Sequence, residues 1–337
     1  SQKGHRNVLS TFISALKKPN QSVEVKSKIL SSLGQFQNQN TLPVIVSFFN
    51  NADPVLSITA IRAVTNFKHL KSFSRYHVIA ELKNLFIKTN HESIRIRIIE
   101  ALVALKYEEI VDFLMGVMQN ASDKLKIAAI RASASFEDQM ASSYLERFLK
   151  DENCFVKAEA ILALWKLNYN HKRLKQLIQT MFQSSKREAL TAVCSILGDI
   201  GDVHFKQKLI PYLTFLDPKL RLYATVSLLK LGYKDAGKCL THLLFTKNSV
   251  VLNMAKELLF DLKPELRKQI HKLIHREISL RMHNEFDKKN ASAELLTDFK
   301  NAYLCIDAYS EADSIDEILR SSYGMHPLAP ENIYVAQ

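Results

Sequence analysis

His271 and His275 stand four residues apart in "RKQIHKLIHRE", a spacing that can grip a metal ion from one helical face. A metalloprotease motif would place Glu beside the first histidine, but Lys272 stands there, and the surrounding Arg and Lys charges repel a cation. A solvated helix face fits these residues better. "GDIGD", residues 198–202, is rich in glycine for this chain. It lacks the Lys-Ser/Thr ending of a phosphate loop, so Gly198 and Gly201 read as a helix end and a turn. These residue types and spacings predict no catalytic set, no metal and no cofactor. More suggestive is a series of cations and apolar residues at fixed helical spacing: Lys28, Arg62, Arg97, Lys124 and Arg131, then Phe155, Leu162, Tyr223, Val226 and Met254. A surface of this kind binds a macromolecule rather than transforming a small one.

The elements that must position those residues repeat. Helical patterns open at Ser22, Asp53, His91, Ser122, Asn153, Lys186, Asp217 and Asn248, at intervals of 31, 38, 31, 31, 33, 31 and 31 residues. A fixed period in this range is the mark of a solenoid. Three residues after each opening comes Val25, Leu56, Ile94, Leu125, Val156, Ala189, Leu220 or Val251. Four further on stand Ile29, Ala60, Ile98, Ala129, Ala160, Val193, Ala224 and Ala255. This spacing keeps both columns on one face. The openings are mostly Ser, Asp or Asn, the residues that cap helix N-termini, and Pro54 and Pro218 follow at the first helical position. Amphipathic stretches of about three turns, such as "TLPVIVSFF" and "LKQLIQTMF", fill the intervals. The unit is therefore a helical hairpin that buries its apolar face only by stacking on its neighbours.

In "DPKLRLYATVSLLKLG", Asp217, Pro218, Leu220, Arg221, Ala224 and Gly232 resemble the HEAT-repeat pattern, and the short period is similar to bacterial HEAT-like repeats first described in phycobilin lyases. The resemblance covers residues 5–262. It implies an all-α, right-handed α-α superhelix (α-solenoid) of about eight HEAT-like helical hairpins, also called armadillo-like, with a C-terminal helical cap at 263–309. An acidic, partly extended tail at 310–337 follows. It also implies that the second helix of each unit lines the concave face, with the basic-to-apolar series as its groove. Lys26, Arg95 and Lys126, nearby, read as ladder residues pairing with carboxylates of neighbouring repeats.

Iron hydroxylases of the deoxyhypusine kind share this pattern but use several His-Glu pairs, and His91-Glu92 is one adjacent pair. HEAT-like DNA glycosylases resemble the chain in basicity, since its formal net charge is +12. They work with aromatic residues in the groove, whereas Trp165 falls in a packing column with Gly34, Val103, Gly198 and Phe260. The expectation is a non-enzymatic scaffold or regulatory module with a protein partner of acidic or mixed surface. Nucleic-acid binding is the alternative.

Only 8 Gly and 8 Pro occur in 337 residues, as a helical chain requires. The 4 cysteines lie far apart, which predicts a reducing, cytoplasmic compartment. No apolar run reaches the ~20 residues of a membrane helix. The chain opens on Ser1 without an initiating Met, which predicts a piece of something longer and leaves an upstream anchor open. Seven extra residues around "FKHLKSFSRY", 67–76, account for the 38-residue interval and predict a longer loop or an extra helical turn. Residues 290–337 carry Lys300 and Arg320 against eight acidic residues, and the segment from Ser310 onward is expected to dock on the basic repeats and compete with the partner.

Overall fold

Each of the eight sequence openings immediately precedes a helix in the computed structural model. Ser22, Asp53, Ser122, Asn153, Asp217 and Asn248 accept a hydrogen bond from a backbone N–H in the first turn of the helix they open. His91 and Lys186 make no such bond. There the residue two positions earlier helps instead: Thr89 Oγ1 accepts from the His91 N–H and Ser184 Oγ from that of Lys186. The structure describes residues 2–67, 69–119, 121–135, 139–245, 248–260 and 262–287, with 297 and 300 as isolated helical positions. The expected docking tail, and the second capping helix expected in 292–309, lie outside the described residues apart from those two positions.

The described residues hold seventeen α-helices and no strand. The chain divides into two compact units, 1–171 and 172–337. In the first, the first helices of the hairpins are α1 (Gln2–Leu16), α3 (Leu42–Ser47), α5 (Ser72–Lys88), α7 (Ile110–Gln119) and α9 (Gln139–Leu145). The second helices are α2 (Val23–Phe36), α4 (Pro54–Thr65), α6 (Glu92–Ala104), α8 (Asp123–Ser133) and α10 (Cys154–Lys166). Each second helix packs on the next along the sequence, α2 on α4 through α8 on α10. In the second unit α11 (His171–Phe182), α13 (Lys206–Leu209), α15 (Ala236–Leu244) and α17 (Pro264–Asp287) alternate with α12 (Arg187–Ile200), α14 (Pro218–Lys230) and α16 (Ser249–Phe260). Here α14 packs on both α12 and α16, and α17 packs on α15.

The two core columns are buried in every repeat but one position, Val25 in the first second-helix. Two pairs of second helices approach closely through glycine. A Cβ on Gly34 would sit 2.6 Å from the Ala63 carbonyl oxygen, and one on Gly198 would sit 2.8 Å from Ser227 Cα. The first helices of the hairpins are less regular than their sequence suggests. α3, α9 and α13 are short and continue into or out of 3₁₀ turns. At Ile210–Thr214 the cause is Pro211, which lacks the N–H that an α-helix would need. Of the inserted stretch, residues 69–71 connect and residues 72–75 start α5, which at 17 residues is the longest first helix of its unit.

The second helices also end alike. Gln37, Lys106, Asn168, Gly201 and Gly232 all have positive φ, and each stands fifteen residues after its opening. At three of these ends the next residue is tyrosine, whose N–H reaches back to the helix: Tyr107 to the Leu102 carbonyl, Tyr169 to Leu164 and Tyr233 to Leu228. This 6→1 bond with a left-handed residue is the Schellman stop.

Candidate functional site

The candidate residues occupy three positions of the second helix, two, six and nine residues after the opening, which share one stripe. Within residues 1–171 the stripe is a mosaic. Lys28 is exposed and pairs with Glu24 at 2.6 Å. Arg62 is exposed. Arg97 is half-buried and ion-pairs with Glu100. Lys124 is exposed, with its Nζ 3.9 Å from Glu92 of the previous repeat. Arg131 Nη2 donates to Glu159 Oε2 at 2.9 Å, across to the next repeat. Phe155 is half-buried. Val55, at the same stripe position in the second repeat, is 53% exposed.

Two expectations need correction. Leu162 and Val226, expected to face a partner, are 5% and 3% exposed and belong to the core. Helix packing covers the stripe at those positions. In the second unit, Tyr223 and Met254 are half-buried. Phe260, expected in a packing column, is 61% exposed, and the Arg267 guanidinium lies 5.0 Å from its ring centroid. Trp165 is half-buried and stacks on the His171 ring at 4.3 Å.

A ladder of polar contacts links successive openings. Ser122 donates to Glu92, and Asn153 Nδ2 donates to Asp123 Oδ2 at 2.7 Å. In both, the cap of one second helix bonds the carboxylate that follows the cap of the preceding one. Arg187 and Asp217 repeat the contact with the charges exchanged, at 3.6 Å. Lys126 lies 3.5 Å from Asp151, the ladder role expected of it, and Arg95 Nε donates to the Thr89 carbonyl. Glu92 is thus held by Ser122 and Lys124 rather than forming a metal pair with His91.

On the chemical candidates, the His271 and His275 rings lie nearly parallel with centroids 6.4 Å apart. Among the described residues no group of three or more His, Cys, Asp or Glu side chains could hold a metal ion. Gly201 is the left-handed C-cap of α12. Cys154, Cys194 and Cys239 carry free thiols, and burial pushes the Cys194 thiol far above its ordinary range. No helix among the described residues is long and apolar enough to cross a membrane.

Stacked helical hairpins with capped second helices define an α-helical repeat protein. Residues 79–165 match the family described as HEAT repeats. No curated protein matches it. Among solved structures, it is similar to the complex of CpcE and CpcF of phycocyanin lyase from Nostoc sp. PCC7120, with 13% identity, a TM-score of 0.43, and coverage of 66% of this chain and 87% of that one. Human deoxyhypusine hydroxylase gives 14% identity and a TM-score of 0.35 over 80% of this chain and 96% of that one. Kap121p bound to Pho4p gives 13% identity and a TM-score of 0.45 over 93% of this chain and 38% of the other.

Proposed function

We propose that the chain is a non-enzymatic binding module, working in a reducing, cytoplasm-type compartment. It takes a protein partner of acidic or mixed surface on the second-helix stripe of residues 23–166. The observation that carries this reading is the mosaic itself. Glu24, Glu100 and Glu159 sit against Lys28, Arg97 and Arg131 on the stripe, beside the exposed Val55 and the half-buried Phe155. A reader of phosphate backbone needs a run of cations without interleaved carboxylates, while a protein interface uses mixed charge around apolar contacts. The net charge of +12 favours a second reading, nucleic-acid binding.

Co-precipitation from the source cells separates the two. The bait is the chain with Arg62→Glu and Lys124→Glu, beside the unaltered chain, with and without nuclease. A protein that survives nuclease and is lost with the double substitution supports the stripe. Capture that vanishes with nuclease, and whose affinity falls steeply from about 50 to 200 mM salt through counterion release, supports nucleic acid. Equal capture by both baits overturns the stripe.

A further inference from the structure

The longest interval between repeat openings also carries the most exposed aromatic side chains among the described residues of the first unit. Phe73 is 87% exposed, Tyr76 57% and Ile87 77%, all on α5. With Ala80 and Asn84, both exposed, they fall on one helical face about four turns long, opposite the buried Val78, Ile79, Leu82 and Leu85. That face carries no acidic residue. Lone exposed apolar side chains are ordinary, but a stripe of them at helical spacing marks an interaction site.

The charges around the stripe tell what sits on it. Residues 71–88 hold Lys71, Arg75, Lys83 and Lys88 against Glu81 alone. Lys71 and Lys88 are exposed at the two ends, whereas Arg75, 5.6 Å from the Tyr76 ring centroid, is offset by Glu108 at 3.5 Å. The N-terminus of α5 has a lysine at its cap position, no side-chain cap bond from that lysine and no acidic residue in its first turn, so its first-turn N–H groups add positive potential beside Phe73. A second copy of this chain would bring the same cations to the contact and be repelled.

We propose that this face of α5 is a docking surface for an amphipathic helix of a partner protein, apolar at i, i+3/i+4 and i+7 and acidic along its flanks. It lies on the first helix of its hairpin and is separate from the second-helix stripe.

The probe is a fluorescein-labelled 18-residue peptide with leucines on one face and glutamates on the other. Its controls are the same peptide with lysines for glutamates and a scrambled sequence of the first. The full chain should bind the glutamate peptide at least tenfold more tightly than either control at low salt. Phe73→Ala with Ile87→Ala should weaken binding at least tenfold without moving the thermal midpoint, because both side chains are in solvent. Lys71→Glu with Lys88→Glu should reverse the preference between the glutamate and lysine peptides. Binding that survives the alanine pair overturns the proposal, as does equal affinity for all three peptides. So does loss of binding on Arg62→Glu with Lys124→Glu, which would move the peptide to the other stripe. A concentration-dependent dimer abolished by the alanine pair would also overturn it, giving the face to a second copy.

Discussion

Arg131 reaches across to the next repeat and donates to Glu159 at 2.9 Å, and Glu159 is the one charged residue buried among the described residues. The pair joins α8 to α10, so this arginine serves the stack as well as the stripe. Replacing it with alanine leaves a carboxylate buried without that partner. Arg131→Ala should cost about 1–3 kcal/mol in urea unfolding, less than for a fully buried pair because the arginine side chain is largely in water. Adding Glu159→Gln should return most of the loss. A double variant as unstable as the single one would show that the arginine acts through packing alone.

The left-handed ends of the second helices allow a test in both directions. Lys106 and Gly232 occupy the same repeat position, with φ of 52° and 80°. A non-glycine residue pays roughly 1–2 kcal/mol for that conformation. Lys106→Gly should therefore stabilise by about 1 kcal/mol, offset in part by the greater freedom of glycine in the unfolded chain. Gly232→Ala should destabilise by a similar amount even though a Cβ there meets nothing within 4 Å. Opposite shifts in the denaturation midpoint are expected, and two shifts of the same sign would be inconsistent with a shared stop.

These ends show where the sequence was legible. Eight openings named eight second helices because capping is local chemistry, settled within one turn. Gly201 announced its turn, but Lys106 and Asn168 did not, since their left-handed conformation accompanies a backbone bond from the following N–H to a carbonyl five residues back. The recurring Leu-x-Tyr at 105–107, 167–169 and 231–233 was the available signal. Leu162 and Val226 fall on the stripe by helical phase, yet their burial depends on what packs beside them. The partners of Arg97 and Arg131 differ for a like reason. Glu100 lies within reach on the same helix, whereas Glu159 is 28 residues away and adjacent only once the repeats stack.

Close approach of helices gives a third expectation. A methyl group at position 198 must displace the α14 backbone at Ser227 or the Lys230 side chain. Gly198→Ala should cost about 1–3 kcal/mol despite the better helix propensity of alanine. At Gly116, in α7, a methyl group would meet nothing within 4 Å, so Gly116→Ala should stabilise by about 0.5–1 kcal/mol. Thermal midpoints of the two variants measure the contrast directly.

Asp202 sets an acid limit on the second unit. Burial raises its pKa, but hydrogen bonds from the Lys175 ammonium and from the His204 side chain and N–H outweigh that and hold it at about 2. A carboxylate with a depressed folded pKa contributes stability above its unfolded value near 4, and that contribution is lost as pH falls from about 4 to 2. Asp202→Asn keeps a capping oxygen and removes the charge. At pH 7 it should lower stability by about 2 kcal/mol at most, and the gap to the unaltered chain should close by pH 2. A gap that stays constant from pH 6 to pH 2 would assign the effect to shape rather than ionisation.

Repeat arrays draw their stability from each hairpin and its neighbours, so damage should remain near its origin. Leu220 is fully buried in α14, in the second compact unit. Leu220→Asp places an unpaired carboxylate in that core, at a cost of several kcal/mol. Trp165, stacked on His171, lies in the first unit and is the single tryptophan of the chain, so its fluorescence reports on that unit alone. On heating the variant, far-ultraviolet circular dichroism should show an early loss of helix while the Trp165 transition stays at its original temperature. The same loss should be absent from a variant of an exposed residue on the same helix, such as Lys219→Asp. If fluorescence and circular dichroism instead shift together by one amount, the two units unfold as a single cooperative block, and the nearest-neighbour description fails for this chain.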